Sequence, residues 1–179
     1  SQIASIALMA QATRTQDWDA IFTNLEAGHE VGPLIDGLAQ AWAYVGKGQM
    51  ARALMSFDEV IDTPGLRAFG QHHKALALAM NGDLAEASAI YDLAPNIGVP
   101  PTRATVIAHL QILCQLGEFE RAGDLIIRAF GTDNTPEIAA FRNAIEAGEI
   151  PPLDGVISTP AQGISYAFKG LSDILQGEA

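Results

Sequence analysis

A glycine returns along this chain at nearly constant intervals, and each return brings the same neighbours. Gly48-Gln49-Met50 is followed by Ala53 and Phe57, Gly82-Asp83-Leu84 by Ala87 and Tyr91, and Gly117-Glu118-Phe119 by Ala122 and Ile126. These glycines stand 34 and 35 residues apart, and a weaker copy, Gln16-Asp17-Trp18 with Ile21 and Leu25, precedes them. Four copies at one period describe an array, in which each unit has an apolar face that only its neighbours can cover.

Each copy reads as two helices. Apolar residues at three- and four-residue spacings, such as Leu38, Ala41, Trp42 and Val45, or Ile107, Leu110 and Cys114, predict first helices over 3–11, 34–45, 66–80 and 103–116. The glycine then supplies the left-handed residue that ends a helix without a Cβ penalty. Asp17, Asp83 and Glu118 follow at once, placing acids at the positive end of the next helix. Second helices are expected over 18–27, 50–61, 84–94 and 119–130, closed by Pro33, Pro64, Pro95 or Gly131. Small residues at Ala41 and Ala53, and at Ala75 and Ala87, let paired axes approach, while Phe57 and Tyr91 fill the space towards the next repeat. About one residue in six is alanine and Val, Thr and Tyr are scarce, a balance that favours helix over sheet. The expected fold is all-α: a right-handed solenoid of antiparallel helix pairs, with the first helices lining its concave side.

The residues that carry this pattern resemble the tetratricopeptide repeat. In the best copy Ala41, Tyr44, Gly48, Ala53, Phe57 and Pro64 stand where that repeat places a small residue, a tyrosine, a glycine, Ala-x3-Phe and a proline. The next copy supplies Ala75, Gly82, Ala87, Tyr91 and Pro95; the third has Leu110 for the small residue and Ile126 for the aromatic. The resemblance implies four helix pairs within residues 1–134, at about 3–32, 34–65, 66–100 and 102–131. It also implies partner binding through the concave groove, although such a fold hosts many unrelated partners.

Residues 135–179 depart from the period. Thr135-Pro136-Glu137 opens a helix to Ala147; a loop over 148–160, with Pro151, Pro152 and Pro160, precedes a last helix over 161–175. That helix is either a terminal cap or half of an incomplete next repeat. The second is preferred, because Phe168, Leu171 and Leu175 give no polar outer face. On that reading the chain is similar to interior segments of exported bacterial repeat proteins. The resemblance leans towards the periplasm, with the cytoplasm as the alternative. The opening SQIASIALMAQATRTQDWD lacks a basic stretch and is not read as a signal peptide.

Ten Lys and Arg against 21 Asp and Glu give a net charge of −11. A surface so acidic repels phosphate backbones, which argues against nucleic acid and anionic membranes. The apolar runs fall short of the roughly 20 residues of a membrane span. One cysteine, Cys114, excludes an internal disulfide and a multi-cysteine zinc site; among Ile112, Leu113 and Leu116 it reads as a small core hydrophobe.

His72 and His73 are the first candidates for chemistry. Adjacent helical residues point about 100° apart, whereas ligands of one metal need a spacing of three or four. His109 is the one further imidazole that the array brings towards them, and no metal site is expected. Acid pairs such as Asp58-Glu59 and Glu118 with Glu120 read as solvated charge, and no phosphate loop, nucleophile elbow or zinc-protease motif occurs. No catalytic residue and no cofactor is assigned.

Trp18 falls at a position that is apolar in every copy and reads as core. Trp42, one residue after Ala41, is expected to turn away from the partner helix into the groove as an anchor. With Leu38, Val45, Phe69, His72, His73, Leu76, Met80, Ile107, Gln111 and Gln115 it would line a nearly uncharged groove for an apolar or extended protein segment. The family's basic clamp for C-terminal carboxylates is missing, since the comparable places hold Leu38, Trp42, His73, Ala104 and Ala108. The expected function is therefore a non-catalytic protein-interaction scaffold. The alternative is a spacer or self-associating segment, homo-oligomeric or not, whose groove is filled by its own chain through Pro151-Pro152 or the last helix. Exposure of the groove separates the two.

Overall fold

A computed structural model describes residues 1–151 and 157–177. The described residues form ten α-helices and one 3-10 turn. The helices are α1 (Gln2–Thr15), α2 (Trp18–Glu26), α3 (Pro33–Gly46), α4 (Met50–Asp62), α5 (Arg67–Asn81), α6 (Leu84–Leu93), α7 (Arg103–Gln115), α8 (Phe119–Phe130), α9 (Pro136–Ala147) and α10 (Pro160–Gln176). They fall where the spacing predicts helix, most bounds within two residues; α1 runs past the expected Gln11 to Thr15. Among the described residues no helix is long and apolar enough to cross a membrane.

The period in the sequence is a period in the backbone. Gly48, Gly82 and Gly117 all have left-handed φ, at 70°, 91° and 74°. After each, the next amide reaches back five residues: Gln49 to the Tyr44 carbonyl, Asp83 to Leu78 and Glu118 to Leu113, each at 2.9 Å. The weak first copy makes the same bond, Asp17 to Ala12 at 2.9 Å, although its turn residue is Gln16, at φ 53°. It is the one non-glycine with positive φ among the described residues. A side chain there costs about 1–2 kcal/mol, which glycine would recover less its greater freedom in the unfolded chain. Gln16→Gly is expected to stabilise by about 0.5–1 kcal/mol in urea denaturation, with an unchanged slope. Asp17 continues the junction by capping α2, its Oδ1 accepting from the Ala20 amide at 3.1 Å.

The chain divides into two compact units, Ser1–Ala77 with Ile157–Ala179, and Leu78–Val156. In the first, α1 packs on α2, α2 on α3, α3 on α4, and α10 on α3 and α1. Its core holds Met9, Ile21, Ile35, Leu38, Ala41, Trp42, Ala53, Phe57 and Ala75, none more than 1% exposed. Glycines let large side chains close on helix backbone. A Cβ on Gly46 would lie 2.4 Å from the Trp18 indole, and one on Gly37 would lie 2.6 Å from Val60.

In the second unit α6 packs on α7, α7 on α8 and α8 on α9. Val106, Leu110, Leu113, Cys114, Ala122, Ile126, Ile138 and Phe141 form one cluster. Leu110, large where the second copy and its successor carry Ala41 and Ala75, shares this cluster with Ile126, smaller than Phe57 and Tyr91, so large and small residues exchange places there. Arg103, at the start of α7, reaches Asp133 at 3.3 Å and Glu137 at 3.1 Å, joining the α7 and α9 entrances.

Candidate functional site

In the first unit the last helix lies on the face presented by α3 and the beginning of α5. Leu38, Trp42, His73 and Leu76 are at most 2% exposed, while Val45, Phe69 and His72 are half-buried. The contact with α10 depends on small residues. A Cβ on Gly163 would fall 2.2 Å from the six-membered part of the Trp42 indole, so the bare glycine backbone rests on the ring. One turn on, the Tyr166 hydroxyl is 3.1 Å from His72 Nε2, and its ring tilts onto His73 with centroids 5.3 Å apart. Ala167 is 2% exposed, and a Cβ on Gly170 would meet Phe69 at 3.7 Å, an ordinary contact. Positions 163, 166, 167 and 170 share one face of a helix.

Trp42 does not turn away from its partner helix. Its ring meets Phe57 of α4 edge-on, with centroids 5.6 Å apart, and its indole N–H donates to His73 Nδ1 at 3.0 Å. The one-residue offset from Ala41 does aim the side chain off the closest line between α3 and α4. An indole is wide enough, however, to touch α4, α5 and α10 together. Trp42 is a core residue with no surface to offer a ligand.

The bond from Trp42 fixes the state of His73, because an accepting Nδ1 carries no proton. Burial pushes the His73 imidazole down to about 3, reinforced by the neighbouring His72, and pushes His72 down to about 4. The two rings sit with centroids 6.2 Å apart, each engaged by a different partner. Among the described residues no three His, Cys, Asp or Glu side chains gather to hold a metal ion.

The second unit holds the remaining groove candidates. Gln111 is buried, its Oε1 without a hydrogen-bond partner among the described residues, while Met80, Ile107 and Gln115 are half-buried. Gln115 Nε2 donates to the Pro151 carbonyl at 3.0 Å, so the proline segment reaches one of these positions; Pro152 lies outside the described residues. His109 is tied to Ser88, Nε2 to Oγ at 2.9 Å, and Asp92 Oδ1 lies 3.8 Å from the same nitrogen. In a serine–histidine–acid triad the acid holds the ring nitrogen remote from the serine. Here both approach Nε2, and Ser88 is 3% exposed, so the three residues tie α6 to α7 rather than activate a nucleophile. Burial, opposed by Asp92, lowers the His109 pKa. Arg121 bridges Asp92, at 2.6 Å, and Glu118. Cys114 is fully buried, which raises its thiol pKa; a reactive thiolate needs the reverse.

Sequence reasoning passed over Gly163, Tyr166 and Ser88. The signal for the first two was present in the spacing Gly163, Ala167, Gly170, a smooth strip beside the tyrosine. Ser88 carried none, because a buried serine facing a histidine on another helix leaves no local pattern. No family model, curated protein or solved structure matches this chain.

Proposed function

We propose that the chain is a non-catalytic segment of a right-handed tetratricopeptide-type solenoid with a structural role, as spacer or self-associating unit of a larger repeat protein. Its first-helix face on α3 and α5 is filled by its own α10. The observation that supports this reading is the burial of Trp42, with none of its surface exposed, under Gly163 of α10. A contact in which a ring lies where a Cβ would be is specific to its glycine, unlike the adaptable apolar lining expected of an open peptide groove. The acidic surface, −11 overall, fits a protein context and disfavours nucleic acid.

The competing reading lays a partner's apolar or extended segment on this face, and it requires α10 to leave. Affinity capture from lysate of the source organism separates the two, comparing the parent with Phe69→Ala after circular dichroism confirms that the variant is folded. Phe69 is half-buried, so its truncation is tolerated better than that of Trp42. A filled face predicts the same retained proteins for both chains. A protein held by the parent and lost by Phe69→Ala contradicts it.

A further inference from the structure

Resting on the reading of the α3/α5 face as the seat of a helix, we propose that this seat also accepts α10 from a second copy of the chain, so that two copies exchange their last helices. The seat is selective. It takes a residue without a Cβ over Trp42, a hydroxyl-bearing ring three residues later against His72 and His73, and a small residue at the fourth. No other segment of the sequence reads Gly-x-x-aromatic-Ala. The helix that meets these demands in trans is therefore α10 of another copy.

The seat and its occupant are distant in sequence. Tyr166 and His72 are 94 residues apart, and residues 148–159 separate α9 from α10. Exchange would make the same contacts twice, so the two forms differ chiefly in the tether. A short tether supplies an effective concentration on the order of millimolar. The closed single chain then dominates at micromolar concentration, and exchange becomes appreciable as the protein approaches millimolar.

The test uses a fluorescent synthetic peptide of residues 157–177 and the full chain carrying Gly163→Leu, which cannot seat its own α10. Anisotropy should show saturable binding to the variant, at least about tenfold weaker binding to the parent because its seat is filled, and none for a peptide that itself carries Gly163→Leu. Sedimentation of the parent near millimolar concentration should show dimers, and the Gly163→Leu chain should not form them. A folded variant that ignores the peptide overturns the proposal, as does one that binds both peptides equally, or a parent that stays monomeric. Should Gly163→Leu fail to fold, the chain with Tyr166→Ala, weakened at the same contact, replaces it under the same criteria. Nuclear Overhauser contacts between Trp42 and Gly163 in the dilute parent report the seating itself. If they are present while the peptide is ignored, exchange alone fails; if they are absent, the reading on which it rests fails too.

Discussion

Replacing Gly163 by alanine is expected to lower stability by roughly 2–3 kcal/mol, although alanine is the better helix former. The added methyl would fall 2.2 Å from the Trp42 ring, which is enclosed by Phe57 and His73 and has nowhere to move. Either α10 shifts off α3 or the core around Trp42 deforms. Gly170→Ala, in the same helix, supplies the control. Its methyl would stand 3.7 Å from Phe69, so the helix gain of about 1 kcal/mol should appear as stabilisation. Urea denaturation of the two variants reads both signs. Two destabilising changes of equal size would mean that α10 merely resents substitution; two stabilising ones would mean that it does not sit on Trp42.

Acid is expected to weaken the first unit well before its carboxylates titrate. His73 is held neutral by burial and by the hydrogen bond its Nδ1 accepts from Trp42, and His72 by burial; their folded pKa values fall to about 3 and about 4. In the unfolded chain both take up protons near pH 6.5. The unfolded state therefore binds more protons between pH 6.5 and about 4, and stability falls as pH falls through that window, by about 1.4 kcal/mol per pH unit for each imidazole. Asp36, whose carboxyl burial raises, works in the opposite sense, the folded state binding the extra proton as pH falls towards 3.8. Between pH 7.5 and 4.5 the loss should reach several kcal/mol and lower the melting temperature on the order of 10 °C. His73→Gln, whose amide oxygen can still accept from Trp42, should flatten the slope by about half. A melting temperature independent of pH over this range would contradict the buried, neutral pair.

The fold was legible to the extent that backbone requirements repeat. The left-handed glycines at 48, 82 and 117 and the bond that follows each are local, so the helices could be placed from spacing alone. Even Gln16 kept the turn, because the five-residue backbone bond forms whatever the side chain. Legibility failed where the outcome depends on a partner far along the chain. Trp42 follows a small residue by one position, and helix geometry alone sends it to the groove. Whether that is surface or core is decided by a helix that begins at Pro160. The hydroxyl of Tyr166 on His72 and the tie between Ser88 and His109 are likewise contacts between separate helices, and period-based reading is blind to them.

The seating of α10 over Trp42 decides whether the α3/α5 face is filled or open. Proton spectra of the dilute parent at neutral pH test this directly, through the α-protons of Gly163. Lying against the face of the indole, they should show strong nuclear Overhauser contacts to the Trp42 ring protons and a large upfield ring-current shift. Both should vanish in the folded Gly163→Leu chain. Random-coil shifts for Gly163 with no contact to Trp42 would leave the α3/α5 face open and return it to the role of a partner-binding groove.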